Sequence, residues 1–189
     1  MEVSEAIRSR RSIRLFQNKP VPEEILLELA DLARLYPSAA NQQPLRCAIV
    51  SRQPLLDQVF GCLNWAMFLP DFRIEPEQRP MAYILLLANR KGCQFDAGAA
   101  AMGVMLAAQA RGLNSCVLGP ARPEQMLECL NLEEDLTPMA AIALGYGAHI
   151  STAVPVSGTL QYSMDEQGDF YVPKYSVEEM VIFSDLVQP

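Results

Sequence analysis

The spacing of apolar positions changes period several times along the chain, and each change marks an element. Ser4 is placed to cap a short helix that ends near Arg10. Val21-Pro22-Glu23-Glu24 opens a stronger helix, with Pro22 at the first helical position and acids in the first turn, where they meet the positive end of the dipole. Ile25, Leu26, Leu29, Leu32 and Ala33 recur at helical spacing as far as Tyr36, and Pro37 stops the run. A polar loop, Ser38 to Pro44, leads into a short strand around Arg46 to Val50. Pro54 to Leu63 reads as a helix, Leu69 to Pro80 as Pro-rich irregular chain, and Ala82 to Ala88 as a buried strand. Asp96, as N-cap, begins a helix crowded with small residues that Gly112 ends. Ser115 to Leu118 follows as a strand, Pro123 to Leu130 as a helix, and Met139 to Leu144 as a further buried strand. The tail carries a weak hairpin pattern, Leu160 to Ser163 and Phe170 to Val172 around Glu166-Gln167-Gly168-Asp169. It then reaches Ser176-Val177-Glu178-Glu179, the spacing of a capping box. Helices and strands alternate through the middle while the ends follow no repeat, which predicts a three-layer α+β domain.

Composition supports that picture. Half of the 189 residues are apolar and 20% are charged, the balance of an ordinary globular chain. A chain of this length buries roughly 70% of its unfolded surface, so one core holds without disulfide or metal. With no linker and no repeat, a single domain over residues 1–189 is expected, ending in a C-terminal arm from about residue 155. The net charge of −7 argues against nucleic acid and against an anionic membrane surface as partners. Met1 to Arg14 is too charged for a signal peptide, and Ala97 to Ala110 is too short and Ala-rich to span a bilayer. Five cysteines without a Cys-x-x-Cys pair read as reduced, mostly buried thiols of a cytoplasmic protein. The single histidine, His149, excludes clustered-histidine metal sites and reads as a surface or turn residue.

The chain has no Ser/His/Asp ordering, no Walker-type loop, no Gly-x-Gly-x-x-Gly after a strand and no metal-ligand spacing. Catalysis would therefore have to be carried by a cofactor. Three segments could bind one. Arg8-Ser9-Arg10-Arg11-Ser12-Ile13-Arg14 gathers four of the 15 basic residues, and planar guanidinium forks with a serine hydroxyl suit phosphate oxygens. By charge alone the same run also reads as a solvated basic face. Pro37 to Pro44 offers amides, hydroxyls and backbone N–H groups from one short loop whose small residues let a flat ligand approach, or it is a plain helix-to-strand connection. The Ala/Gly-rich stretch from Asp96 permits close helix contact, in the core or at a subunit interface.

Taken in order, these segments resemble the nitroreductase family. Arg10, Ser12, Arg14 and Phe16 match its N-terminal Arg-x-Ser-x-Arg/Lys-x-aromatic pattern; Pro37, Ser38, Asn41, Gln43 and Pro44 match its Pro-Ser-x-x-Asn-x-Gln-Pro loop. Asp96 through Gly112-Leu113, then Leu118-Gly119, Ala143 to Tyr146 and Val172-Pro173-Lys174 match the later motifs. The resemblance implies a three-layer fold with a central mixed or antiparallel sheet flanked by helices. It further implies a homodimer with FMN at the subunit interface, NAD(P)H as electron donor and a small-molecule electron acceptor such as a nitroaromatic or quinone, served by a ping-pong cycle. Residue by residue, it implies Arg10, Ser12 and Arg14 on the FMN phosphate side, with Arg11 adding contacts. Pro37, Ser38 and Ala39 would lie against the flavin ring from the partner chain, with Asn41 and Gln43 shaping that loop. Leu118 and Gly119 would pack on the ring near flavin N5, and Lys174 would be the tail cation. No side chain is expected to act as a catalytic group. The chain departs from the family at Tyr175, where many relatives carry arginine. It departs also at Pro120, which leaves Gly119 or Ala121 as amide donor to N5, and in lacking lid helices before Asp96. A flavin-binding or storage protein without turnover is the alternative, and a phosphate-recognising interaction domain a second one. Colour and reduction by a nicotinamide distinguish the three.

Overall fold

Strand β2 (Ala82–Ala88) is buried at every position, because its sequence, Ala-Tyr-Ile-Leu-Leu-Leu-Ala, offers water neither face. It pairs antiparallel with β1 (Leu45–Val50) on one side, from Leu45↔Ala88 to Val50↔Tyr83, and with β4 (Thr137–Gly145) on the other. β3 (Asn114–Leu118) lies antiparallel on the far side of β4, which gives the order β1-β2-β4-β3. The β2–β4 register shifts between Leu86 and Leu87, next to Pro138, a residue with no N–H for the ladder.

The computed structural model describes residues 1–132 and 135–185, in two units, Met1–Ala148 and His149–Pro189. In the first unit the sheet separates two cores. Ile84, Leu86, Ile142 and Leu144 face α2 (Glu23–Ala33) and α4 (Gln94–Ala110). Tyr83, Leu85, Ala141 and Ala143 face the other way, into the core that holds Ile13 and Phe16 and residues of α3 (Leu55–Gly61) and α5 (Pro123–Cys129). These are the three layers that the alternation of elements predicts, with a sheet that is antiparallel throughout.

Three helix starts differ from expectation. The first helix spans Val3–Ser9 with Glu2 at its N-cap, so Ser4 lies inside it and does not cap it. Pro22 stands at the N-cap of α2 rather than inside it. α4 begins at Gln94 with Cys93 at the N-cap, so Asp96 lies in the first turn, only 5% exposed, where the dipole favours a carboxylate. Gly112, at φ +73°, ends α4 in the left-handed conformation that glycine tolerates, and Leu113 N–H closes the turn on Ala108 O at 2.9 Å. Among the described residues no helix is long and apolar enough to cross a membrane. All five thiols are free, with Cys62, Cys93 and Cys116 buried, Cys129 half-buried and Cys47 exposed.

In the second unit β5 (Ser151–Pro155) runs parallel to β7 (Phe170–Lys174), and β6 (Ser163–Met164) pairs antiparallel with β7. The expected hairpin is present but begins later, at Ser163; β5 has no counterpart in the sequence reading. Asp165 Oδ1 accepts the Gln167 and Asp169 amides at 3.0 and 2.9 Å and so shapes the hairpin turn. His149 sits in a bend, its ring 4.9 Å from that of Phe170. α6 (Val177–Met180) carries the expected capping box, Ser176 Oγ accepting the Glu179 amide at 3.2 Å and Glu179 Oε2 the Ser176 amide at 2.8 Å. The last four residues of the expected arm, 186–189, lie outside the described residues.

Phe16 is fully buried, and a Cβ added at Gly145 would stand 2.8 Å from its ring. Phe16→Ala should therefore lower the unfolding free energy by about 3–5 kcal/mol, measured by urea denaturation, with Phe16→Leu restoring most of the loss.

Candidate functional site

The arginine segment begins where α1 (Val3–Ser9) ends. Arg10 takes an extended backbone, φ −60° and ψ 129°, while its N–H still bonds Ala6 O at 2.9 Å. The Arg11 guanidinium folds back onto the carbonyls of Arg10 and, at 2.5 Å, Arg8. It thus satisfies orphan acceptors at the negative end of α1. Ser12 then forms a parallel bridge with Ser115 of β3, and Ile13 N–H donates to Ser115 O at 3.0 Å. Buried Ile13 and Phe16 pin the segment to the core, and three further backbone bonds fix its exit: Phe16 N–H to Gln78 O, Gln17 N–H to Tyr146 O, and Ala148 N–H to Leu15 O.

Arg10, Ser12 and Arg14 all act on Cys116, the neighbour of Ser115 on β3. Cys116 is 3% exposed. Its burial pushes the thiol up from its usual range, while the charge of Arg14, a hydrogen bond with Ser12 and the charge of Arg10 pull the other way. Burial, then the positive charge of Arg11, holds the Arg10 guanidinium below its usual range, with Cys116 offsetting part of this. No carboxylate among the described residues pairs with Arg10. A half-buried cation crowded by a second cation and lacking a counterion favours an incoming anion.

Leu118 closes the same strand, three residues beyond Ser115 and so about 10 Å along it. Its side chain is half-buried on the Tyr83 side of the sheet. Gly119 is exposed, and a Cβ there would meet nothing within 4 Å. Pro120, without an N–H, bridges Leu63, and the amides of Ala121 and Arg122 both go to Cys62 O, at 3.0 and 3.2 Å. Of Gly119 and Ala121, only Gly119 has its amide free of a backbone partner among the described residues.

The loop after α2 is exposed yet held in an unusual backbone. Ala40, Asn41 and Gln43 have φ of 50°, 53° and 46°, the left-handed region. Asparagine adopts it with little strain; alanine and glutamine do so at a cost of order 1–2 kcal/mol each. Local bonds hold the loop there: Gln43 N–H to Ser38 Oγ at 3.0 Å, Gln43 Nε2 to Asn41 Oδ1 at 3.1 Å, Arg46 to Gln43 O at 3.1 Å, and Arg90 to Gln42 Oε1. Asn41 and Gln43 are thus tied to each other, and Pro37 and Ala39 are left on the surface. Lys174 ends β7 in the second unit, exposed and opposite Pro155, with Tyr175 exposed after it. The support that Ser115 and Cys116 give the arginines escapes a sequence reading, because it arises across a sheet edge from residues a hundred positions away.

A model described as the nitroreductase family matches residues 7–73 and 87–146, the greater part of the chain. The chain belongs to the nitroreductase family. The matched stretches take in the arginine segment, the 37–44 loop, α4 and Leu118-Gly119, and stop short of Lys174. Among relatives, a protein of Methanothermobacter thermautotrophicus with the provisional name NADH dehydrogenase/NAD(P)H nitroreductase is 29% identical over 78% of each chain. An FMN reductase [NAD(P)H] of Bacillus subtilis is 25% identical over 82% of this chain and 69% of its own. A solved structure from Desulfovibrio desulfuricans, a provisionally named nitroreductase in complex with FMN, superposes with a TM-score of 0.73 at 23% identity over 99% of each chain, and so shares the fold.

Ala40→Gly should leave the melting temperature unchanged or raise it, because glycine accepts φ near +50°. Ala40→Val should destabilise by about 1–2 kcal/mol, and thermal unfolding of the pair measures both signs.

Proposed function

We propose that the chain is an NAD(P)H-dependent oxidoreductase that holds FMN at the interface of a homodimer. The observation that carries this reading is the half-buried Arg10 guanidinium, acting with Ser12 and Arg14 on Cys116 and without a carboxylate partner among the described residues. That donor set suits a phosphate monoester. Bound FMN would supply the redox chemistry, accepting hydride from NAD(P)H and passing it to a nitroaromatic, quinone or similar small acceptor. The chain's own residues bind and orient. Arg10, Ser12 and Arg14 hold the phosphate, while Arg11, engaged with the end of α1, adds to the local positive potential. Leu118 gives the ring an apolar rest, and the Gly119 amide donates to the N5 position that Pro120 cannot serve. Pro37, Ser38 and Ala39 of the partner's loop cover the ring, with Asn41 and Gln43 keeping that loop rigid. Only five residues separate β2 from α4, too few for a lid, which favours an accessible ring face and acceptors of varied shape. Donor and acceptor use that face in turn, so double-reciprocal plots should be parallel.

The dimer reading rests on α4. Its outward face is apolar, with Phe95 at 82% and Met102 at 43% exposure beside the exposed glycines Gly98 and Gly103. A Cβ at Gly103 would meet nothing within 4 Å in its own chain. Gly103→Leu should therefore fold and still lose dimer affinity by about 1–3 kcal/mol, roughly 5- to 150-fold, read by sedimentation.

Arg10→Ala removes a charge-assisted contact of about 1.5–3 kcal/mol, so FMN affinity should fall roughly tenfold or more in a fluorescence titration. An anaerobic titration of the purified protein with NADH and NADPH tests the whole reading. Bleaching of the flavin band by either supports an oxidoreductase. A bound flavin that neither reduces supports a flavin carrier, and a colourless protein that binds no FMN removes both. His149→Ala should leave both half-reactions within a few-fold of wild type, equivalent to about 1 kcal/mol.

A further inference from the structure

The groove between α3 and α5 has no part in the proposed flavin site, yet two cysteines meet in it. Cys62, the C-cap of α3, and Cys129, the last residue of α5, line it together with Asp57, Gly61, Gln125 and Glu128. Each thiol acts on the other, Cys129 easing the Cys62 thiol down and Cys62 pushing that of Cys129 up, and the Cys129 S–H donates to Met126 O at 3.2 Å. They come from elements far apart in sequence, so only the fold makes them neighbours. We propose that Cys62 and Cys129 form a reversible disulfide across this groove, making it a thiol-oxidation site that ties α3 to α5.

The surrounding charges favour Cys62 as the attacking sulfur. Burial pushes its thiol up, while the Arg122 guanidinium and the Cys129 S–H pull it back. Arg122 is held at hand by its own bond to Gly61 O, 2.5 Å. Cys129 is pushed up by burial, by Cys62 and by the charge of Glu128, and therefore keeps its proton longer. With a hydroperoxide as oxidant, the Cys62 thiolate attacks one oxygen, the O–O bond breaks and a sulfenic acid forms. The Cys129 sulfur then attacks Cys62 sulfur, the S–O bond breaks, and the Cys129 proton leaves with hydroxide as water. Two thiols give up two electrons, one S–S bond forms, and hydrogen peroxide becomes two waters. A dithiol reductant reverses the change by exchange. Cys62 also accepts the amides of Ala121 and Arg122 on its carbonyl, so the crosslink braces the turn that follows Gly119.

The test uses the full-length protein as purified, reduced, desalted and exposed to a small excess of hydrogen peroxide. Remaining thiols are then alkylated and the peptides mapped without reduction. The expected result is a crosslinked Cys62–Cys129 peptide pair, lost on treatment with dithiothreitol, and a melting temperature above that of the reduced protein. Cys129→Ser, at a half-buried position, should abolish the crosslink and the rise in melting temperature and leave Cys62 trappable by dimedone. Recovery of both cysteines alkylated after peroxide, oxidation confined to Cys47, or sulfinic acid at Cys62 without a crosslink in the wild type would each overturn the proposal. Because every readout is covalent mass or melting temperature, the result stands apart from whether the flavin is reduced.

Discussion

The burial of β2 on both faces governs the rest of the first unit. A strand whose alternate side chains are all apolar has to be covered twice, and β4 beside it is apolar on both faces over most of its length. Ile84, Leu86, Ile142 and Leu144 require the α2–α4 layer, and Tyr83, Leu85, Ala141 and Ala143 require the second core. With β2 and β4 in the middle, β1 and β3 become the edges, and an open edge must be covered or blunted. The arginine segment meets the edge at β3, where Ser12 bridges Ser115. The charged cluster thus lies where it does because the sheet ends there.

That placement gives the cluster its character. Ile13 and Phe16 are driven into the core, and the same short segment carries Arg10, Ser12 and Arg14 to the rim of β3 over the closed-in Cys116. Hydrophobic anchoring holds together charges that would separate in water. Arg11, in the middle of the run, is diverted to the carbonyls at the end of α1, so the four arginines counted in the sequence do not act as one uniform patch.

Most of the fold was legible because its signals are local. The period of Ile25, Leu26, Leu29 and Ala33, the apolar run Ala82 to Ala88 and the Ser176/Glu179 spacing each lie within one element and reappear as α2, β2 and the α6 cap. Helix starts moved by a residue or two, since Cys93 and Pro22 take cap positions without forming a side-chain cap bond. β5 was not legible, because Ser-Thr-Ala-Val-Pro has weak strand character and its parallel pairing depends on a partner from Phe170 onward. In the candidate site the arginine run and the polar loop stood out by residue type. The left-handed backbone at Ala40 and Gln43 did not, because neither residue prefers it and only the bonds from Ser38 and Arg46 impose it. The placing of Cys62 and Cys129 on one groove was equally hidden, being a product of how α3 and α5 pack.

The close approach of Gly145 to Phe16 sets an order on how this protein can change. A methyl group at Gly145 would overlap Phe16 Cδ1 at 2.8 Å, and one at Gly147, two residues further on, would meet the end of the Asn114 side chain at 2.8 Å. Gly145 cannot give way while Phe16 keeps its size; shrinking Phe16 first opens the path, and the reverse sequence of steps passes through a clash. Substitutions at the end of β4 are therefore contingent on the history of the N-terminal segment. Lineages that drift at one of these positions without the other should leave few surviving descendants.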